Sequence, residues 1–413
     1  MKQMLSLNLK FLMLVSRFKL NSTFYRFKFN SIFKAITSAA TVLCLSQAAN
    51  AVEISPYFHS WGGSLMEAKQ VGMNSAILAF AITRGDCAFV PDLIDKLPEA
   101  RSYIAAGGQL LISFGGAEGV YAEIACEDDN QLFTMMEKLM QDSSTRRFDF
   151  DIEGRQLQNE EATARRTRVL ARLQAKYPDL YVSFSLPGWL QGLNADAMNL
   201  LTTTLAAGVR IDMVNVMTQT FGVENLRTMV VPSTVAQASM TTFVAVANQL
   251  TTIYRDKTAT QLYAMMGMTP MIGKNDDGSV FTLDDARTLA NFAKQNNIGM
   301  LSYWSFQRDR NQSTSGANNL QTFSGVAQSD FQFHNIFKSA DGNVAAALSA
   351  RSAEPIAKVA ASSTCSGSNW VQGKPYEAGS VVTYSDGKLY IAQFANPGYN
   401  PVISTYFWSE NMC

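Results

Sequence analysis

From residue 54 to residue 304 the chain alternates short runs rich in β-branched and aromatic residues with longer segments whose apolar positions recur every three or four residues. The short runs predict eight strands, at 54–59, 75–81, 109–114, 148–152, 181–186, 213–217, 262–266 and 299–304. Helical periodicity is plain at 91–106, 131–141, 160–176 and 283–297. Within 160–176, Leu170 and Leu173 share one side while Arg165, Arg168 and Arg172 surround it, as in a helix with one buried face. Eight β/α units in succession predict an α/β protein, a (β/α)8 TIM barrel whose working side chains gather at the C-terminal strand ends. An open doubly wound sheet is the competing arrangement, but no G-x-G-x-x-G follows the first strand.

The texture changes after Phe337. Residues 339–364 are rich in Ala and Ser and read as a linker. From 365 to 413 aromatic residues crowd together, among them Trp370, Tyr376, Tyr384, Tyr390, Phe394, Tyr399 and Trp408, with Gly and Pro between them as turns. That composition predicts a small all-β module, and so short a chain needs a staple.

At the other end, residues 1–51 carry seven basic residues and no acidic one. An apolar run at 35–45 follows, too short to span a bilayer, and then Ala49-Asn50-Ala51. This is the pattern of a cleaved secretory signal peptide, so the expected domains are a leader at 1–51, a barrel at 52–338, a linker at 339–364 and a module at 365–413. The expected product is secreted and free of the membrane after cleavage. The full chain balances 34 basic against 34 acidic side chains; without the leader, 27 basic face 34 acidic. A mildly acidic body excludes nucleic acid as the expected partner. With 47% hydrophobic residues the chain has ample core material, and one large catalytic unit acting as a monomer is expected.

Loss of Cys44 with the leader leaves Cys87, Cys126, Cys365 and Cys413, an even number that suggests two disulfides in an exported protein. Three pairings are open. Cys87 with Cys126 and Cys365 with Cys413 is the one that keeps each bridge within one region. Only His59 and His334 are present and the cysteines are dispersed, so neither a metal site nor a cofactor is expected.

The sharpest chemical feature is Asp149-Phe150-Asp151-Ile152-Glu153 on the fourth predicted strand. Side chains alternate along a strand, so Asp149, Asp151 and Glu153 share one face and Phe150 and Ile152 the other. The apolar face suits the helix layer, which turns the acids into the barrel. Carboxylates about 6.6 Å apart in a low-dielectric interior cannot all ionise cheaply, so at least one keeps its proton at neutral pH. Glu153 is last in the row, at the rim. A protonated carboxyl there is the general acid that glycosidic bond cleavage requires.

Phe148-Asp149-Phe150-Asp151-Ile152-Glu153 resembles the D-x-x-D-x-D-x-E signature of glycoside hydrolase family 18, the chitinases and their relatives. Ser113-Phe114-Gly115-Gly116 resembles the family's S-x-G-G, and Leu301-Ser302-Tyr303-Trp304-Ser305 its terminal tryptophan motif. Thr269-Pro270-Met271-Ile272-Gly273 and Arg308-Asp309 resemble one bacterial branch. The resemblance spans about residues 54–335 and implies a retaining, substrate-assisted mechanism. In it Glu153 protonates the leaving oxygen, and the substrate's N-acetyl oxygen attacks the anomeric carbon. Asp151 orients and stabilises the oxazolinium, and Asp149 tunes Asp151. Trp304 would floor the pocket, with Tyr57 and Phe80 as further pocket residues. The chain departs from the family at two places. Arg146 stands where the signature's first Asp is expected. On the sixth strand Met217-Thr218-Gln219-Thr220 replaces M-x-Y-D, so Gln219 stands for a Tyr that helps hold the acetamido group and Thr220 for an Asp. Met217 and Gln219 are accordingly substrate-binding candidates.

The tail, Trp370 through Trp408, resembles the chitin-binding modules of carbohydrate-binding families 5 and 12. Exposed aromatic rings stack on the apolar faces of pyranose sugars. Phe394 is the foremost contact candidate, followed by Tyr399 and Trp408, while Trp370, Tyr384 and Tyr390 suit the module's core. The expected protein is therefore an endo-acting secreted chitinase, with chitin or chitooligosaccharides as partner. An endo-β-N-acetylglucosaminidase acting on glycoprotein glycans and a non-catalytic chitin-binding lectin are the alternatives.

Overall fold

The computed structural model describes residues 52–223, 226, 234–312, 319–340, 367–372, 374–377, 379–392, 398, 400–402 and 408–410. The leader, most of the linker, Cys365, Cys413, Phe394 and Tyr399 lie outside the described residues.

Nine parallel strands make one curled sheet. In chain order they begin with β1 (Glu53–Ile54), β2 (Tyr57–His59), β3 (Ser75–Ala81), β4 (Gln109–Gly115), β5 (Arg147–Asp151), β6 (Tyr181–Pro187), β7 (Met213–Met217) and β8 (Met266–Thr269). A short antiparallel hairpin, β9 (Gly273–Lys274) with β10 (Val280–Phe281), precedes the last sheet strand, β11 (Met300–Leu301). The sheet order is β1-β11-β8-β7-β6-β5-β4-β3-β2. Its two edges, β1 and β2, are separated only by Ser55 and Pro56. Each side of that stretch is bonded to a different neighbour: the Ser55 N–H donates to Leu301 O at 3.1 Å, and the Ile77 N–H donates to Pro56 O at 2.9 Å. One stretch of chain thus links both ends of the sheet, the curl of a TIM-like barrel.

The helices between the strands are α1 (Leu65–Gln70), α2 (Pro91–Ala105), α3 (Ala122–Ala125), α4 (Asp129–Ser143), α5 (Glu160–Lys176), α6 (Ala195–Ala206), α7 (Val235–Leu250), α8 (Ala259–Ala264) and α9 (Leu283–Asn296), and α10 (Gln332–Phe337) follows β11. The seventh strand does not lie at 262–266, as the sequence predicts, but at Met266–Thr269. Thr258 caps α8, accepting from the Gln261 N–H while the Gln261 side chain returns the bond, so Leu262 to Ala264 complete a helix and the strand starts at Met266. The bulky pair that mimics a strand serves the layer outside the barrel, where Tyr263 packs edge-on against Phe243 at 5.1 Å.

Alternation along β5 sorts the layers. Phe148 and Phe150 face outward, where they pack with Phe114 (4.9 and 5.0 Å), and Phe150 meets Phe184 at 5.4 Å. Asp149 and Asp151 face the interior, which they share with Ser113, Ser185 and Asn215 and with a small apolar group containing Tyr57, Ile77, Leu111 and Met300. The disulfide Cys87–Cys126, with Cα atoms 4.6 Å apart, closes 39 residues and ties the segment after β3 to the end of α3. Closing a loop of that length stabilises by about 4 kcal/mol on a chain-entropy estimate. Among the described residues no helix is long and apolar enough to cross a membrane.

The C-terminal residues form a separate four-stranded sheet of β12 (Ser368–Asn369), β13 (Val381–Thr383), β14 (Leu389–Ala392) and β15 (Trp408–Glu410). Tyr376, Val382, Tyr390 and Trp408 are buried in it. Trp408 was expected to offer a surface contact. It is 1% exposed and lies edge-on to Tyr376 at 5.2 Å, so it belongs to the module's own core. A sheet this small has few other large side chains with which to fill its centre.

Candidate active site

The site is built on the inner face of β5. Asp149 is wholly buried, and its carboxylate accepts from Ser113 Oγ (2.7 Å), Ser185 Oγ (2.9 Å to Oδ1) and Tyr57 Oη (3.1 Å). The network continues across the strands. Asn215 donates to Ser185 Oγ at 2.9 Å and accepts from Thr269 Oγ1 at 2.9 Å. Burial nonetheless raises the Asp149 pKa above the usual carboxylate range, working against the hydrogen bonds that favour its charge.

Asp151 comes next on the same face. Burial pushes it well above its ordinary value, and the nearby charges of Glu153 and Asp149 push it further. Its Oδ1 is buried with no hydrogen-bond partner. Glu153 stands at the rim, in extended conformation at the head of the 3-10 turn Gly154–Gln158. Burial raises its pKa as well, and a hydrogen bond from Asp151 offsets part of the rise. Two carboxyls that interact this strongly titrate as a pair rather than singly.

Glu153, Met217 and Gln219 line one cavity of about 240 Å³ together with Trp189 and Phe221. One terminal atom of the Gln219 amide, Oε1, is buried there without a partner. Thr220 beside it is exposed, in left-handed backbone conformation (φ 53°). Asp277 holds the loop by accepting the Gly222 N–H at 2.6 Å.

Tyr57, Phe80 and Trp304 form a second group of rings rather than lining that cavity. Phe80 stacks on Trp304 at 5.7 Å, and Tyr57 tilts against both, 6.0 and 5.7 Å away. Tyr57 is buried beneath them with its hydroxyl turned to Asp149 and Ser185, so it supports the site from below and does not offer a ring face. Gly116 makes this possible, since a Cβ there would come within 2.8 Å of Phe80 Cε2. The platform extends through His59, 4.8 Å from Trp304, to the exposed Trp61, stacked 4.5 Å from His59. Burial lowers the His59 pKa to about 3, so its ring is neutral.

Arg146, at the first signature position, lies at the opposite end of β5. Its guanidinium pairs with Asp179 at 2.8 Å on the surface, away from the carboxylates. Several residues here escaped sequence reading. Trp189 is exposed beside Glu153, just past the Pro187-Gly188 strand end. Ser183 and Ser185 carry a period-two polar pattern that marked an inward face, and Asn215 the matching position on β7. Among the described residues no group of His, Cys, Asp and Glu is placed to hold a metal ion.

No protein-family model matches the chain. It is similar to a probable bifunctional chitinase/lysozyme of Escherichia coli (strain K12), 31% identical over 243 residues, or 56% of this chain. It is also similar to Endochitinase 11 of Metarhizium anisopliae, 28% identical over 262 residues, or 59% of this chain. The chain spans 27% of the length of the first and 49% of the second. Among solved structures it is similar to the catalytic domain of a hyperthermophilic chitinase from Pyrococcus furiosus, with 30% identity and a TM-score of 0.61, covering 71% of this chain and 98% of that one. Catalytic-site mutants of active domain 2 of that organism's thermostable chitinase, complexed with chito-oligosaccharides, match equally well, at 30% identity and 0.61 over 70% of this chain and 96% of that one. Barrel, inward carboxyls and relatives together make the chain a glycoside hydrolase. It belongs to the family 18 chitinases.

Proposed function

We propose that this protein hydrolyses β-1,4 bonds between N-acetylglucosamine units of chitin by a retaining, substrate-assisted mechanism. The observation that carries this reading is the Asp151–Glu153 pair: a buried and a half-buried carboxyl, both with raised pKa, the buried one with an oxygen that lacks any partner. Glu153 holds the proton for the leaving oxygen. The free Asp151 Oδ1 is an acceptor for the acetamido N–H, which turns the acetamido oxygen toward the anomeric carbon. Asp149, fixed by Ser113, Ser185 and Tyr57, keeps Asp151 in its raised state by charge. Trp304 and Phe80 offer apolar faces to the sugar.

The test is cleavage of soluble chitooligosaccharides by the full chain, with the anomeric form of the first products read by NMR. Retention of the β-configuration is expected. Inversion would overturn the mechanism, and binding without cleavage would leave a lectin.

Gln219 supplies an amide where a phenol is usual. A neutral hydrogen bond is worth about 1 kcal/mol, more in a desolvated site. Gln219→Ala should therefore lower kcat/KM roughly ten-fold on soluble oligosaccharides. An unchanged value removes the residue from the site.

The basic leader and Ala49-Asn50-Ala51 support export of the protein. The aromatic tail supports attachment to insoluble chitin, which raises the local concentration of enzyme on the polymer. Removing residues 365–413 should weaken binding and turnover on solid chitin and spare soluble oligomers. Equal loss on both would make the tail part of the catalytic unit.

A further inference from the structure

Between the two reactive carboxyls runs one peptide segment, Asp151-Ile152-Glu153, that leaves its strand. The Gly116 N–H donates to Asp151 O at 2.9 Å, and the Ile152 N–H donates to Ser185 O at 3.1 Å. Strand pairing with β4 then ends, at Gly115 and Asp151. The Glu153 N–H instead donates to Tyr121 Oη, at 3.1 Å. The same hydroxyl lies 2.9 Å from Gly116 O and 3.0 Å from Asp151 O. A phenol has one proton to donate and lone pairs to accept, so this one can satisfy a carbonyl and the Glu153 N–H together. Gly115 makes room for it: a Cβ there would stand 2.2 Å from Asp151 O and 2.9 Å from Tyr121 Cζ.

Tyr121 itself sits on a fixed mount. It is buried and precedes α3, which is held from two sides. Glu123 of α3 makes a buried ion pair with Arg166 of α5. Arg165 donates to the carbonyls of Glu123 (3.0 Å) and Cys126 (2.5 Å), and Cys126 is bridged to Cys87.

We propose that Tyr121 is a positioning residue for the Asp151–Glu153 pair, holding with one hydroxyl the backbone that sets the distance between their carboxyls. The inference rests on the reading of Glu153 as general acid. It goes beyond that reading by placing control of the acid's geometry in a residue outside the β5 signature. The titratable groups facing the pair are Asp149 on the same strand, Tyr57 from β2 and Tyr121; Glu123 lies near Tyr121 and is ion-paired with Arg166. Burial raises the Tyr121 pKa, so its hydroxyl keeps its proton throughout the working range.

The test compares Tyr121→Phe with Leu139→Ala, a packing change in α4 remote from the carboxyls, and with Glu153→Gln. Tyr121→Phe should lower kcat on soluble chitooligosaccharides about ten-fold with KM within two-fold. Two carboxyls that share a proton titrate far apart, and loosening them brings their apparent pKa values together. The pH profile of kcat/KM should therefore narrow in Tyr121→Phe and keep its width in Leu139→Ala, whatever each does to Tm. Where Tyr121→Phe folds too poorly to assay, 3-fluorotyrosine at position 121 keeps the ring and weakens the oxygen as an acceptor, and the same narrowing is expected in smaller measure. A kcat and profile indistinguishable from wild type, or from Leu139→Ala, overturns the proposal. Full turnover by Glu153→Gln would instead overturn the functional reading beneath it, so the two failures are distinct.

Discussion

Glu153→Gln is expected to lower kcat on soluble chitooligosaccharides by about a thousand-fold or more, with KM nearly unchanged. Glutamine matches glutamate in size and still accepts the hydrogen bond that Asp151 offers, so the cavity with Met217, Gln219 and Trp189 should keep its shape and its affinity. It has no proton to give to the leaving oxygen. The glycosidic oxygen of the departing sugar must then leave as an alkoxide, which is the step general acid catalysis exists to avoid. The raised pKa of Glu153, caused first by burial, keeps part of the population protonated above the ordinary carboxyl range. Wild-type kcat/KM should therefore decline as pH rises through that raised value. In Glu153→Gln the residual activity should lose this alkaline decline. Calorimetric binding of an oligosaccharide to the variant checks that the loss lies in turnover.

How much of this was legible in the chain depends on whether a feature is local. The placing of Asp149 and Asp151 inward and of Phe148 and Phe150 outward follows from strand alternation alone, and the structure arranges them so. The pairing of Cys87 with Cys126 needed only the preference for a bridge within one region. The seventh strand was misplaced because Leu262 and Tyr263 are as suitable to a buried helix face as to a strand, and the Thr258 cap that decides between them is four and five residues upstream. Trp408 shows the same limit, since an aromatic residue in a small module serves equally as filling or as surface. Tyr121 carried no signal at all. It follows the S-x-G-G segment in irregular chain, and its role exists only because the register of β4 with β5 brings Gly115 opposite Asp151. Contacts of this kind are set by pairing between distant segments, which periodicity within one segment does not encode.

Asp151→Asn should separate catalysis from stability. On turnover the loss should be about a hundred-fold or more, because the oxazolinium forms beside a neutral amide in place of a carboxyl that can take up charge. On stability the sign is opposite. Asp149, Asp151 and Glu153 all have folded pKa values raised above the ordinary carboxyl range, with burial the first cause in each. The folded protein thus binds protons more tightly than the unfolded chain. The stability this contributes is fully present below the ordinary range, about pH 4, and is lost as pH rises through the raised values. Replacing Asp151 removes one of the three titrating groups and relieves its neighbours of a like charge. The asparagine N–H can donate to Glu153 as a protonated Asp151 would, so no buried donor is stranded. Urea unfolding at pH 4.5 and pH 8 should therefore show a smaller drop in stability for Asp151→Asn than for the wild type, with the variant at least as stable at pH 8. A variant that unfolds more readily at pH 8 than the wild type would mean that Asp151 is ionised and compensated in the folded protein, and the shared proton on which the mechanism depends would not exist.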